Sequence, residues 1–161
     1  MTERIPGGAV RRAALADIPA ETLYRILTLR VAVFVVEQAA AYPELDGRDA
    51  EPDTELFWIE EDGAILATLR LLRDADAARI GRVATAPTAR GRGLAADLMR
   101  RAVARAEERW PGHPIDLDAQ AHLAPWYGRF GFVVNGPGFV EDDIPHVPMR
   151  RAPGMSEAGA G

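Results

Sequence analysis

The order of elements predicts an α/β (α+β) fold, one domain built on a mixed central sheet flanked by helices. Three observations carry this reading. Asp62-Gly63 separates two apolar runs, Leu56–Glu60 and Ile65–Leu72, and Asp-Gly supplies the left-handed backbone that a tight antiparallel hairpin needs. A third run, Ala77–Thr85, leads into the small, basic stretch Ala86 to Ala95, which opens a helix. After that helix Ile115–Ala119 alternates apolar and acidic residues, so Val83 to Asp118 reads as strand–helix–strand with parallel strands and a right-handed crossover.

Taken in order, the first dozen residues are short of pattern and suit a frayed end or an edge strand. Pro19 precedes Leu23, Ile26, Leu27, Leu29, Val31 and Phe34, spaced mostly three or four apart, which predicts a helix from about Pro19 to Phe34. Gln38 to Asp53 carries Pro43, Gly47 and Pro52 among acidic residues and reads as a long polar loop, a length usually tied to function or mobility. The hairpin and third strand follow. The next helix, Gly93–Arg109, presents Leu94, Leu98, Ala102, Val103 and Ala106 on one face, and Trp110-Pro111-Gly112 ends it. A short helix around Leu123–Phe130 then leads to strands near Phe132–Val134 and Val147–Arg150. No linker interrupts residues 1–151, and the small, polar stretch 152–161 is expected to be a disordered tail.

Bulk chemistry removes several function classes. A net charge of -5, from 24 acidic against 19 basic groups, argues against general nucleic-acid binding unless the arginines gather on one face. Without cysteine there is no disulfide, thiolate metal site or cysteine nucleophile. His113, His122 and His146 are too widely spaced to suggest a metal cluster. The longest apolar stretch, Val31 to Val36, is far too short to span a bilayer, and Met1 to Ile5 lacks a signal-peptide pattern, so a soluble cytoplasmic protein is expected.

The chemistry concentrates at Arg90-Gly91-Arg92-Gly93-Leu94-Ala95. Glycines at a strand–helix junction let backbone N–H groups approach a ligand, and the helix start adds positive partial charge, a combination suited to phosphate. The run lacks the lysine of a phosphate loop and the glycine spacing of a dinucleotide fingerprint. By itself it also suits a solvated turn with a glycine helix start. Tyr127, between Trp126 and Phe130, equally suits core aromatic packing.

Arg90-x-x-Gly93-x-Ala95 after a strand, followed about thirty residues later by Ala124-Pro125-Trp126-Tyr127-Gly128-Arg129-Phe130-Gly131-Phe132, resembles the GCN5-related N-acetyltransferase (GNAT) family. Leu29 to Gln38, Asp46-Gly47, Ile80-Gly81-Arg82-Val83, Ala119-Gln120-Ala121-His122-Leu123 and Ile144-Pro145-His146 resemble its ElaA branch. Alanine at position 95, where many members have glycine, is a mild departure.

The resemblance implies splayed parallel strands ending near Thr85 and Ala119, with the pantetheine arm of acetyl-CoA between them. It assigns the backbone of Val83, Ala84 and Thr85 to that arm, and the N–H groups of Arg90, Gly91, Arg92, Gly93, Leu94 and Ala95 to the pyrophosphate. It makes Tyr127 the acid that protonates the leaving thiolate, in direct acetyl transfer to an amine within a ternary complex. The alternative is a noncatalytic acyl-CoA-binding regulatory domain, which needs the same loop but no role for Tyr127.

Glu37, His122 and His146 are the candidate bases, each also satisfied by a structural role. Glu44, Asp46, Asp49, Glu51 and Asp53 would favour a cationic amine near the cleft mouth, though a solvated loop accounts for most of these charges. Arg30 and Arg82 interrupt apolar runs, which calls for carboxylate partners, and Arg30 is read as half of a structural ion pair. Arg70 is a weaker instance. The expected partner is a small-molecule or peptide amine, with no nucleic acid or membrane, and an edge strand offers a route to a homodimer.

Overall fold

A computed structural model describes residues 9–154, so the expectations for Met1 to Gly8 and for most of the 152–161 tail lie outside the described residues. Eight strands form one sheet: β1 (Val10–Ala13), β2 (Glu55–Glu61), β3 (Ala64–Asp74), β4 (Ala77–Thr85), β5 (Ile115–Gln120), β6 (Val133–Val134), β7 (Phe139–Glu141) and β8 (Ile144–Arg151). Their order is β1-β2-β3-β4-β5-β8-β6, with β7 also on β8. Every pairing is antiparallel except β4 with β5. Those two pair only at Ala78–Ile115 and Arg79–Asp116, and beyond this they part toward their C-terminal ends.

Helices cover both faces. The apolar stripe of α2 (Leu94–Arg109), including Leu98, Met99 and Ala102, packs on Phe57, Ile59, Leu69, Leu71, Ile80 and Leu117. The five residues expected to be buried on this helix are buried, and Ala96 and Met99 join them. On the other face Ile26, Leu29 and Val33 meet Leu56, Trp58, Ile65 and Ala84. Because both faces are covered, the middle of β2 is a continuous apolar run instead of an alternating one.

Three elements differ from the sequence expectation. Helix α1 (Ala20–Val31) does not stop at Phe34 but widens into a π-helical turn, Ala32–Glu37, closed by Gln38 N–H donating to Val33 O and Ala40 N–H to Val35 O. Val31, Val33, Val35 and Val36 crowd this turn with β-branched side chains that disfavour regular helix. The final hairpin includes β7, whose Phe-Val-Glu segment is too short to register as periodic sequence.

The polar loop is the third difference, since it is not simply solvated. Glu44 and Asp49 are buried. Arg30, on the inward face of α1, is only 1% exposed, and a charge there requires counter-charges close by. The loop folds onto it to supply them.

Candidate active site

The parting of β4 and β5 opens a cleft of about 1080 Å³. One wall begins at a bulge in β4. Arg70 pairs with Gly81 and Thr68 with Ala84, so Arg82 and Val83 together face Leu69 alone. Arg82 takes up the extra residue with φ +54°, a left-handed conformation costing about 1–2 kcal/mol for a residue with a Cβ. Val83, Ala84 and Thr85, immediately after it, line the cleft.

The chain then turns through Pro87–Ala89 into α2. Gly91 and Gly93 have φ of +83° and +76°, and a Cβ at either would meet nothing within 4 Å, so backbone conformation rather than crowding selects glycine. Gly93 caps α2 without a side-chain bond, and the first intrahelical donor is Asp97 N–H to Gly93 O. The N–H groups of Leu94, Ala95 and Ala96 are thus left for another acceptor at the positive end of a sixteen-residue helix. These three residues, with Arg90, Gly91 and Gly93, line the cleft. Such a cradle fits a pyrophosphate.

The side chains of the two loop arginines meet carboxylates. Arg92 pairs with Glu61 at 3.1 Å and does not line the cleft. Arg90 makes a bidentate pair with Glu37, at 2.7 and 2.6 Å, tying the π-helical turn to the glycine-rich loop. Those bonds hold the Glu37 carboxyl below its usual range.

Tyr127, on α3 (Ala124–Gly128), lines the cleft with its ring edge-on to Trp126, centroids 4.9 Å apart. Burial pushes its hydroxyl pKa up to about 12. His146 on β8 also lines the cleft, stacked on Phe139 with centroids 5.5 Å apart. Its Nδ1 lies 2.7 Å from Ile144 O. A carbonyl only accepts, so Nδ1 carries the proton and Nε2 of the neutral ring keeps its lone pair. His122 is exposed and does not line the cleft, and neither does Glu37. His113 bonds Asp76 O in a distant turn.

Beside the cleft, the loop between α1 and β2 forms a charge network. Arg30 donates from Nε to Glu44 Oε2 at 2.6 Å and from Nη1 and Nη2 to Asp49 at 2.6 and 3.1 Å. Removing that guanidinium would strip each buried carboxylate of its shortest ion pair, leaving Glu44 to Arg82 and Tyr42 and Asp49 to Arg70 at 3.5 Å, a loss of up to about 3–5 kcal/mol. Arg70 grips Asp46 with two bonds of 2.9 and 2.8 Å, which hold the Asp46 carboxyl far below its usual range. Tyr42, which also lines the cleft, donates its hydroxyl to Glu44 Oε1 at 2.5 Å, and burial reinforced by that carboxylate raises its pKa. Tyr42 is absent from the sequence-level candidates. Its only signal is an aromatic residue inside an acidic, proline-bearing loop.

With this geometry in place, the sequence matches the family profile described as an acetyltransferase (GNAT) domain over residues 16–152. The chain belongs to the GNAT acetyltransferase family. Among its relatives, ElaA of Escherichia coli is 35% identical over 139 residues, 84% of this chain and 91% of ElaA. The ElaA crystal structure matches with a TM-score of 0.84 over 88% of this chain and 98% of that one. The UPF0039 protein Rv2851c of Mycobacterium tuberculosis is 46% identical over 154 residues, 92% of this chain and 96% of that protein. The crystal structure of an acyl-CoA N-acyltransferase from Pseudomonas aeruginosa, 46% identical, matches with a TM-score of 0.85 over 89% of this chain and 98% of that one.

The expected family, its ElaA-like branch and the mixed sheet flanked by helices therefore all hold. This GNAT domain has, among the described residues, no helix long and apolar enough to cross a membrane.

Proposed function

We propose that this GNAT domain transfers the acetyl group of acetyl-CoA to a primary amine by direct attack within a ternary complex. The observation that carries the reading is the continuity of one cleft. It runs from the start of α2, past Val83 to Thr85, to Tyr127 and His146.

Acetyl-CoA supplies the activated acyl group as a thioester, and the protein's contribution is binding and proton transfer. The loop from Arg90 to Ala95 holds the pyrophosphate on preorganised N–H groups. The backbone at the β4 bulge binds the pantetheine arm and polarises the carbonyl. His146 Nε2 takes the proton that the amine must lose, and the Tyr127 hydroxyl gives one to the departing sulfur. Tyr127 suits this role because burial keeps it protonated throughout the neutral range.

Geometry favours His146 over the other two candidate bases. Glu37 is held by Arg90 as a stabilised anion, which makes it a weak proton acceptor, and His122 is exposed and does not line the cleft.

The test follows free thiol on mixing the protein with acetyl-CoA and a panel of primary amines at several pH values. Tyr127→Phe is expected to lower kcat about a hundredfold with acetyl-CoA binding retained. His146→Gln is expected to be most defective near pH 7, recovering as the pH approaches about 10.4, the range where a lysine-like amine is neutral without help. Turnover unchanged in Tyr127→Phe would remove the acid role, and a native protein that binds acetyl-CoA but acetylates none of the amines would return the chain to a binding domain. A pH-independent defect in His146→Gln would remove the base.

A further inference from the structure

Arg82 is a conformational outlier. In the middle of a strand it holds φ +54°, a region where residues with a Cβ are uncommon and persist only when surrounding contacts impose them. The contacts that impose it come from the loop between α1 and β2. Arg82 Nη2 donates to Glu44 O at 3.1 Å and to Asp46 Oδ2 at 3.3 Å. Its Nε lies 2.8 Å from Glu44 Oε1, off the hydrogen-bonding direction, as a close ion pair. The guanidinium carbon sits 5.5 Å from the centre of the Tyr42 ring.

Neither carboxylate is free to move. Glu44 is fixed by Arg30, and Asp46 by Arg70. The side chain of Arg82 thus ties a rigid charge network to a single point in β4. That point is the bulge whose next three residues line the donor side of the cleft.

We propose that Arg82 is a positioning residue that locks the acceptor-side loop to the acyl end of β4. The wall that receives the amine and the backbone beside the acyl group then hold a fixed separation, and small displacements between reacting groups are costly in rate. Arg82 acts through Val83 to Thr85 and through Tyr42 and Asp46, without itself handling a proton. Its kinetic consequence rests on the acyltransferase reading above, whereas its mechanical consequence does not.

The experiment compares the native protein with Arg82→Gly and Arg82→Lys by amide hydrogen exchange, acetyl-CoA titration and steady-state kinetics. Glycine removes the clamp while accommodating the left-handed backbone, so a defect there cannot come from strain. Exchange at residues 42–46 and 83–85 is expected to rise about tenfold in Arg82→Gly. Its kcat is expected to fall about tenfold or more, with acetyl-CoA affinity changed by less than about threefold because the glycine-rich loop is untouched. Arg82→Lys, which keeps the charge but loses the fork, is expected to lie between, and it decides the matter if the glycine variant does not fold.

Exchange and turnover in either folded variant equal to the native protein's would overturn the proposal. If the native protein turns over none of the amines, exchange decides alone. Faster exchange in both segments supports the clamp and leaves acyl transfer as the failed reading, and unchanged exchange overturns the clamp.

Discussion

Arg30 organises the loop between α1 and β2 from within a helix. Its position in an otherwise apolar stripe announced a buried charge, and the sequence was sufficient to demand a carboxylate partner. It was not sufficient to name one, because Glu44 and Asp49 lie 14 and 19 residues away in a loop without periodicity. Arg82 and Arg70 were legible in the same limited way, as charges in need of partners. Asp46, gripped by Arg70, has its folded pKa below its ordinary value of 3.8. The stability it contributes is therefore present above about pH 4 and is lost as the pH falls through the folded pKa. Urea unfolding should show a midpoint that holds above about pH 4 and drops as the pH falls below it, and drops less in Asp46→Asn, which never carries the charge. Equally steep losses in the two proteins would show that this pair contributes nothing to acid sensitivity.

Among the elements, the strand–loop–helix unit from β4 through α2 was the most legible. Ala77–Thr85 and the helix after Gly93 stand where the sequence put them, because apolar spacing and glycine position are local signals. The bulge within β4 left no such signal, since arginine at positive φ is selected by contacts from a distant loop. The π-helical turn was similarly hidden, as a run of valines marks poor helix without saying what replaces it. Glycine 93 tests this element. Gly93→Val has room for its Cβ but must adopt φ +76° with a branched side chain. Stability should fall by about 1–2 kcal/mol, and the acetyl-CoA dissociation constant should rise more than about tenfold, with residual kcat at saturation reduced less. Unchanged affinity in a calorimetric titration would mean that the helix start is not the pyrophosphate site.

The whole molecule is a two-sided sheet split at one end, and the split is where sequence reasoning stops and tertiary structure takes over. Strand identities were readable, but the departure of β5 from β4 after two pairs depends on how each strand is held by its other neighbour. That departure places residues from the π-helical turn, the acidic loop, β4, α2, α3 and β8 around one cleft, which no linear motif spans. Of the three candidate bases, only His146 came to line it, because β8 returns beside β5 with His146 opposite Gln120. The family and the fold rest on this architecture, and the proposed chemistry rests on the cleft accepting an acyl-CoA. Calorimetric titration of the native protein with acetyl-CoA tests that most directly. Saturable one-to-one binding with a dissociation constant at or below about 100 μM, displaced by free coenzyme A, is the predicted result. No binding at about 1 mM acetyl-CoA would contradict both the donor site and the transferase it serves.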